Sequence, residues 1–349
     1  QVIVFDFSEI SDQSLNLNSK IIEAFGPEGV GLCLIKNVPG YPQARLKLLP
    51  LAHKLAHLPQ EKLKELTKPE YMHAIGWSHG VEQFKGQYDF QKGSFYANPL
   101  RDIPIELTEQ QKKNGAFYGP NVWPKDTIPE LETVFKNMGK IIVETGSLLS
   151  HHIDKYVNSV QANYKIGTLE DIVKNGQQPL ARLLHYFASN KQKNIDDDWC
   201  GWHNDHAALT GLCGAIYTDS QGNIVEDFSD PEGGLYAKNR FTEIQRIQIP
   251  ADCLAFQIGE TAQIITGGFL EATPHCVVRG SKSINSGVSR NSFAMFMQPG
   301  PDYVLNVPDG VSIDQAVGRE AYNVPKLKNR WEQGISYLNY SFNSFKSYS

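Results

Sequence analysis

A run of short apolar or alternating segments between about residues 180 and 300 places the tightest limit on the fold of this chain. Turn residues separate the segments at a spacing of roughly 8–12 residues, which is typical of an antiparallel sandwich or barrel such as a jelly roll. The segments with this pattern are 182–187, 202–209, 212–218, 234–238, 241–249, 253–258, 262–266, 275–279 and 290–298. The sequence therefore predicts a mainly β core with flanking helices.

Helical periodicity surrounds the predicted strands. Residues 129–156 carry apolar side chains at intervals of three and four residues, the spacing of an amphipathic helix. Shorter helices are predicted at 15–25, 42–58 (with a break at Pro50), 59–66, 313–321 and 326–336.

The order of these elements predicts a single structural unit, because no linker rich in Gly or Ser separates the helices from the strands. We expect an N-terminal mixed α/β region over residues 1–125, with short buried strands at 2–5 and 29–36. A jelly-roll core with its long supporting helix and C-terminal helices would follow over 126–349.

Charge and hydropathy exclude two classes of partner. The 349 residues include 33 Lys and Arg against 38 Asp and Glu, a formal net charge of −5 with no basic stripe, so we expect no nucleic-acid partner. Apolar runs such as 29–35 are far shorter than the ~20 residues that cross a membrane, so we expect no membrane partner. No charged segment followed by an apolar one opens the chain, and we expect no signal peptide.

The chain has 5 cysteines, an odd number, and they are widely spaced without any C-x-x-C pattern. This argues against a disulfide framework, a zinc ribbon or an iron–sulfur site. It favours reduced, buried thiols in a cytoplasmic protein. The cysteines are Cys33, Cys200, Cys213, Cys253 and Cys276.

Two histidines and one aspartate form a candidate metal-binding set. In W-H-N-D-H, His203 and Asp205 are two residues apart, and on a strand such residues project from the same face. A neighbouring strand would supply His275 as a third ligand. Two imidazoles and one carboxylate bind non-haem Fe(II) and leave positions open for oxygen and a co-substrate. H-x-D also occurs by chance, so surface or core roles are the alternative for this pair.

The other histidines are interpreted as structural residues and not as metal ligands. His53 and His57 lie four apart on a predicted helix rich in Lys, which favours solvated or helix-packing roles. His185 and His206 are next to stronger candidates and are interpreted as supporting or packing residues.

A buried arginine is predicted in the segment S-R-N-S-F-A-M-F-M-Q-P, residues 289–299. Strand alternation places Arg290 and Ser292 on one face. A buried guanidinium is costly unless it meets an anion, and beside a hydroxyl it can hold a carboxylate through two hydrogen bonds. An internal ion pair with Asp or Glu is the alternative.

These segments resemble a known family over roughly residues 1–300. The chain is similar to the Fe(II)- and 2-oxoglutarate-dependent oxygenases of the isopenicillin-N-synthase-like group. The matching segments are V-I-V-F-D-F-S (2–8), G-V-G-L-C-L-I-K-N-V-P (29–39), L-P-Q-E-K-L-K (58–64), N-V-W-P (121–124), R-L-L-H-Y-F (182–187), G-W-H-N-D-H-A-A-L-T-G-L (201–212), D-P-E-G-G-L (230–235), T-P-H-C-V-V (273–278) and R-N-S-F (290–293).

The resemblance implies a distorted double-stranded β-helix, or jelly roll, with iron at its mouth. It assigns His203, Asp205 and His275 as iron ligands and O2 as the oxidant. The ferrous ion would keep three positions for the keto acid and O2, so no catalytic residue beyond the metal ligands is expected.

The resemblance also assigns the co-substrate contacts. Arg290 and Ser292 would bind the distal carboxylate of 2-oxoglutarate, and Tyr186 matches a family tyrosine that contacts the same molecule. The chain departs from the family at three places: Leu184 replaces an asparagine found in many plant members, F-Q-I-G-E at 256–260 replaces V-N-I-G-D, and the gap from Asp205 to His275 is long.

The activity implied is a dioxygenase that hydroxylates or desaturates a small organic substrate and releases succinate and CO2. Two alternatives remain: an iron-dependent oxidase of the same fold that uses O2 without 2-oxoglutarate, and a non-catalytic metal-binding jelly-roll protein. Aromatic residues of the N-terminal region either line a substrate pocket or pack in the interior. These aromatic residues are Tyr88, Phe90, Phe95 and Tyr96.

Overall fold

The computed structural model describes the chain except residues 1, 27, 82, 85–86, 114–116, 190–197, 240–242, 319–323 and 349, and describes only the backbone of 83–84, 87, 198–200 and 348. Strands form its centre. They are β1 (Ile3–Asp6), β2 (Leu32–Lys36), β3 (Gly76–His79), β4 (Gln83–Phe84), β5 (Gln87–Tyr88), β6 (Lys92–Ala97), β7 (Leu180–Tyr186), β8 (Asp198–His203), β9 (Leu209–Cys213), β10 (Ile216–Thr218), β11 (Gly234–Lys238), β12 (Ile244–Ile247), β13 (Cys253–Ile258), β14 (His275–Val278), β15 (Ser289–Met297), β16 (Val304–Leu305) and β17 (Ile335–Ser336).

Helices lie before, between and after these strands. They are α1 (Phe7–Ser11), α2 (Asn18–Phe25), α3 (Tyr41–Leu48), α4 (Leu51–Ala56), α5 (Gln60–Leu66), α6 (Glu109–Lys112), α7 (Leu131–Val160), α8 (Thr168–Asn175), α9 (Glu260–Ile265), α10 (Ile313–Val317) and α11 (Tyr337–Tyr348). The predicted mainly β architecture with flanking helices is confirmed. Among the residues described, no helix combines the length and the apolar character that crossing a membrane requires.

Two sheets carry the fold. The larger sheet has nine strands in the order β1-β2-β13-β9-β15-β7-β6-β3, with β10 paired to β15, and the smaller has the order β12-β11-β14-β8. Every pair in these sheets is antiparallel except β1 with β2. Apolar side chains of β2 and β13 pack against those of β11 and β12, so the sheets lie face to face. Strands β2 and β6 of the N-terminal region thus join the larger sheet through β13 and β7.

Alternation along β15 separates the two faces of the larger sheet. Phe293 and Met295 belong to the cluster that α7 covers, and the Phe293 ring centre lies 5.0 Å from that of Phe135. Ala294 instead packs with Tyr186 toward Val277 of the smaller sheet. The predicted alternation therefore places residues 290, 292, 294 and 296 between the sheets.

The long helix agrees with its predicted pattern, and α7 runs two residues later and four residues further than 129–156. The predicted helix 42–58 is divided into α3 and α4 around Pro50, as expected of an interior proline. The predicted strand over 202–209 is wrong: β8 ends at His203, residues 204–208 form a loop, and β9 begins at Leu209.

Two other predicted elements are wrong. Residues 262–266 lie mostly in α9 instead of a strand, because a short segment buried on every side shows no period that separates helix from strand. Residues 326–336 form a 3-10 turn (Leu327–Asn329) and β17 instead of a helix. Gly334 has a φ of +89°, which interrupts a right-handed helix, and β17 pairs with β16.

The cysteine side chains that the structure describes are buried, as predicted, and they form no disulfide bond. They are Cys33, Cys213, Cys253 and Cys276, while the side chain of Cys200 lies outside the described part.

Candidate metal centre

The structure brings the three predicted metal ligands together at one end of the smaller sheet. His203 is the last residue of β8 and His275 the first of β14, and the two lie opposite each other in the strand register. One donor atom from each of His203, Asp205 and His275 lies within 4.8 Å of the other two. Asp205 Oδ1 is 3.7 Å from His203 Nε2 and 3.6 Å from His275 Nε2.

Asp205 reaches this place from a loop, because β8 ends two residues before it. The backbone amide of Glu260 donates to the Asp205 carbonyl at 2.8 Å and fixes the loop. The Thr210 hydroxyl donates to Asp205 Oδ2 at 2.7 Å. Oδ1 is therefore the carboxylate oxygen that faces the two imidazoles.

Backbone carbonyls set the tautomers of both histidines. His203 Nδ1 lies 2.8 Å from the Gly201 carbonyl, and His275 Nδ1 lies 3.1 Å from the Thr273 carbonyl. A carbonyl only accepts, so each Nδ1 carries the proton and each Nε2 keeps its lone pair. Such outer hydrogen bonds orient histidine ligands in metal sites.

The amide nitrogen of Gln257 adds a second contact to His275, 2.6 Å from Nδ1 and 3.3 Å from Nε2. With the proton on Nδ1, the flipped amide, which exchanges its nitrogen and oxygen, places an acceptor there. The opposite orientation leaves Gln257 Oε1 buried without a partner. Gln257 thus supports the orientation of the imidazole.

The electrostatics of this set fit a divalent cation. Burial lowers the pKa of His275 to about 4, with a further decrease from His203, so the imidazole is neutral at physiological pH. The Asp205 side chain is buried, and within the described chain no lysine or arginine pairs with it. A buried carboxylate facing the neutral imidazole of His275 is costly alone, and a bound cation would compensate its charge.

The predicted co-substrate residues lie between the sheets. Arg290 is opposite Tyr186 in the register of β15 and β7, and its guanidinium carbon is 5.0 Å from the centre of the Tyr186 ring. Arg290 Nη1 lies 3.4 Å from the Ser292 hydroxyl.

Arg290 has no anionic partner in the described structure. The residue is only 8% exposed, and its Nε is buried without a hydrogen bond. No carboxylate of the described residues forms an ion pair with it. The internal ion pair that the sequence left open is therefore not found among these residues. A buried guanidinium in this state is suited to an external carboxylate.

Sequence reasoning missed the residues that support the site. Asn204 Nδ2 donates to Glu260 Oε1 at 3.1 Å, and Glu260 forms a buried ion pair with Arg330. Gln257 and Glu260 are two of the three positions where F-Q-I-G-E departs from the family motif V-N-I-G-D, and this departure was the only signal of their roles. Thr210 carried no signal at all.

The aromatic residues proposed for a pocket divide between core and surface. Phe95 is fully buried against Trp123 and Phe135, so the alternative of packing in the interior is confirmed for this residue. Tyr88 and Phe90 are exposed. The Tyr96 ring lies 5.0 Å from the guanidinium carbon of Arg182.

Comparison with known proteins identifies the fold through structure alone. No protein-family model matches the sequence, and no curated protein matches it. The fold is shared with a protein from Caulobacter crescentus described as a member of the 2OG-Fe(II) oxygenase family, with a TM-score of 0.72, 22% identity and coverage of 99% of this chain and 98% of that one.

Two further solved structures share this fold. A full-length protein from Neurospora crassa, in complex with α-ketoglutarate and 5-formyluracil, has a TM-score of 0.67 and 20% identity over 98% of this chain and 96% of that one. The dioxygenase for auxin oxidation 1 from Arabidopsis thaliana, in complex with 2-oxoglutarate, has a TM-score of 0.61 and 17% identity over 89% of this chain and 98% of that one.

Proposed function

We propose that this protein is a non-haem Fe(II)- and 2-oxoglutarate-dependent dioxygenase that hydroxylates or desaturates a small organic substrate, with release of succinate and CO2. The observation that carries the proposal is the buried, unpaired guanidinium of Arg290 on the face toward the sheet of His203 and His275. The complexes of the Neurospora crassa protein with α-ketoglutarate and of the auxin dioxygenase with 2-oxoglutarate support it, since both proteins share this fold.

His203, Asp205 and His275 would hold the iron, which supplies O2 activation when bound. Thr210 fixes one carboxylate oxygen, and the carbonyls of Gly201 and Thr273 keep the imidazole lone pairs directed at the cation. The protein's own part is to orient ligands and exclude water.

Arg290 and Ser292 would bind the distal carboxylate of 2-oxoglutarate, and Tyr186 would pack beside it. Leu184 and Ala294 line the same space, so an apolar surface surrounds the guanidinium. Low polarity strengthens a charge-assisted hydrogen bond, which favours a carboxylate at this position over water.

The finer classification is also part of the proposal. We assign a double-stranded β-helix core of the isopenicillin-N-synthase-like type, with the region 1–125 and the core 126–349 in one integrated unit. The hydrogen bonds of β2 and β6 to core strands support this unit. Buried cysteines without disulfide bonds, among the side chains that the structure describes, support a reducing compartment such as the cytoplasm.

The test is an anaerobic titration with Fe(II) and 2-oxoglutarate, followed by exposure to O2 and measurement of succinate with and without a metabolite mixture. We expect iron-dependent succinate in the wild type and none in His203→Ala or Asp205→Ala. His151→Ala changes a partly exposed histidine on α7 that pairs with Glu170 and serves as the control.

Two results would contradict this function. Consumption of O2 with iron but without succinate would indicate the oxidase that needs no 2-oxoglutarate. Binding of iron without any turnover across the mixture, including uncoupled decarboxylation, would indicate a non-catalytic metal-binding protein.

A further inference from the structure

Three histidines meet on the opposite side of the larger sheet from Arg290. His53 lies on α4 and His57 directly after it, so a helical turn brings their side chains together. His185 comes from β7, between Leu184 and Tyr186, and therefore projects away from the space between the sheets. Neither the candidate iron centre nor the co-substrate residues include these three.

The three imidazoles are close enough to share an ion. One nitrogen of each lies within 4.8 Å of the other two. The ring centres of His53 and His57 are 4.0 Å apart, and His185 is 5.3 Å from the first and 5.4 Å from the second. Nitrogens bound to one tetrahedral metal are about 3.4 Å apart, so side-chain shifts of about an ångström would suffice.

The tautomer of His185 is fixed by its neighbours. Asn291 Nδ2 donates to the Thr218 hydroxyl at 2.9 Å and faces the Ile216 carbonyl at 3.3 Å, which determines the amide orientation. Asn291 Oδ1 therefore accepts from His185 Nδ1 at 2.8 Å. The lone pair is left on His185 Nε2.

This lone pair has no hydrogen-bond donor. His185 Nε2 is buried without a partner, and the residue is only 1% exposed. Burial also lowers the pKa of His185 to about 3, so its imidazole stays neutral. Buried polar atoms normally find partners, and a neutral imidazole lone pair without a hydrogen-bond donor is available to a metal ion.

His57 presents a second lone pair at the edge of the cluster. Its Nδ1 lies 2.8 Å from the His53 carbonyl, so in the neutral imidazole that nitrogen carries the proton and Nε2 keeps the lone pair. His57 is exposed while His53 and His185 are buried, which gives an ion a route from solvent.

We propose that His53, His57 and His185 form a second metal site that binds zinc through three neutral imidazoles and keeps a fourth position open. Neutral imidazole suits zinc among the common biological cations, whereas calcium and magnesium need oxygen ligands. The ion would join α4 to β7 on the outer face of the sheet. This site is independent of the proposed oxygenase activity.

The test is a cobalt titration of the full chain, without an affinity tag and stripped of metal with a chelator. Co2+ serves as the probe because low-coordinate cobalt absorbs visibly and replaces zinc at such sites. We expect two ions per chain in the wild type. His57→Ala, at an exposed position, and the double variant His53→Asn/His57→Ala should each retain one.

Matched variants separate the two sites. His203→Ala should lose the other ion and keep the visible cobalt absorption, and His151→Ala should bind two ions as the wild type does. Zn2+ should raise the melting temperature of His203→Ala, but not that of the triple variant His53→Asn/His57→Ala/His203→Ala, which lacks ligands of both sites.

Either of two results would overturn the second site: a wild type that binds a single ion lost in His203→Ala, or a second ion that persists in the double variant. Because the readouts are metal stoichiometry and melting temperature, they stay distinct from succinate release. Failure of the oxygenase proposal would therefore leave this result interpretable.

Discussion

Single hydroxyl groups near the metal ligands have measurable consequences. Thr210 is fully buried and donates to Asp205 Oδ2, so it fixes the rotation of that carboxylate. Thr210→Val keeps the shape but removes the donor. We expect an iron affinity roughly 10–100-fold weaker, as measured by Fe(II) binding under anaerobic conditions.

Thr266→Val provides the control for this change. Thr266 is equally buried but donates to the Ala262 carbonyl within α9. Its variant should bind Fe(II) like the wild type. Equal affinities for the Thr210 and Thr266 variants would show that the hydroxyl does not orient Asp205.

Arg290→Lys tests how the co-substrate is held. Lysine keeps the charge but cannot offer two parallel hydrogen bonds to a carboxylate. A charged hydrogen bond contributes about 1.5–3 kcal/mol, so we expect 2-oxoglutarate to bind roughly 10–100-fold more weakly. Isothermal titration with 2-oxoglutarate measures this.

Arg45→Lys is the comparison, since Arg45 is a buried arginine that donates to the Gly214 and Ala215 carbonyls. That variant should bind 2-oxoglutarate normally, although it loses some stability. An unchanged affinity in Arg290→Lys would place the carboxylate elsewhere.

The sequence supports residue-level prediction only where residue type and spacing carry the information. His203, Asp205 and His275 could be selected because few side chains bind Fe(II) and the pair is closely spaced. Thr210 and Gln257 could not, since their roles depend on which loop and strand pack beside the ligands. The grouping of His53 and His57 with His185 likewise depends on how α4 lies on the sheet.

Among the secondary-structure elements, the N-terminus of α8 is capped by a side chain from another helix. Asp154 of α7 accepts from the backbone amides of Leu169 and Glu170, each at 3.0 Å, and from the Tyr164 hydroxyl. These amides belong to the first turn of α8, whose own N-cap residue, Gly167, has no side chain to cap it. The carboxylate therefore joins the two helices.

Asp154→Asn should destabilise the protein by about 1–3 kcal/mol. The asparagine NH2 group would replace one of the two oxygens that accept from the backbone amides, so a donor would face a donor. Urea unfolding measures the difference. Asp171→Asn is the control, since Asp171 bonds to Asn175 in an exposed position. Equal stability of the two variants would show that the cap does not stabilise α8.

The contact between α7 and α1 predicts a dependence on pH. His152 Nε2 lies 3.1 Å from the Ile10 carbonyl, and burial lowers the pKa of this imidazole below its ordinary 6.5. Below that pH the unfolded chain binds a proton that the folded protein does not, so stability falls as the pH decreases.

His152→Gln keeps a donor for the Ile10 carbonyl but does not titrate. Its melting temperature should fall less than that of the wild type between about pH 7.5 and about pH 5.5. Equal losses in the two proteins would mean that His152 does not contribute to the acid sensitivity.

Element predictions succeeded where the two faces of an element differ in residue type. The stripe of α7 separates buried from exposed positions, and in β15 the face of Arg290 and Ser292 alternates with the face of Phe293 and Met295, although almost every position of the strand is buried. In α9 every residue is buried, so no boundary marked its period and the strand prediction failed. The pairing of β2 with β13 also joins segments far apart in the chain, which local pattern cannot predict.

At the scale of the whole molecule, a series of buried polar contacts joins the metal ligands to the C-terminal helix. Asn204, between two predicted ligands, bonds to Glu260, and Glu260 pairs with Arg330 through two hydrogen bonds of 2.7 and 2.6 Å. Tyr340 of α11 donates to the same carboxylate. The longer side chain of Glu260, a departure from the family motif, reaches Arg330 and so fastens the C-terminal segment beside the candidate metal centre.

Arg330→Met should be among the most destabilising substitutions in the chain. Glu260 and Arg330 are almost fully buried, so removal of the guanidinium leaves a carboxylate without its cation. Loss of one partner in such a pair costs about 3–5 kcal/mol. By contrast, Lys54→Met breaks an exposed pair with Glu130 and should change the unfolding free energy by about 0–1 kcal/mol.

The double variant Glu260→Gln/Arg330→Met separates the charge from the packing. If the unpaired carboxylate causes the loss, its neutral replacement should recover much of the stability lost in Arg330→Met, as measured by urea unfolding of all four proteins in the cycle. If the double variant is no more stable than Arg330→Met, the packing of the Arg330 side chain, and not the buried charge, holds the C-terminal segment in place. Because Glu260 also positions Asn204, we expect the double variant to bind Fe(II) more weakly than the wild type even where its stability recovers.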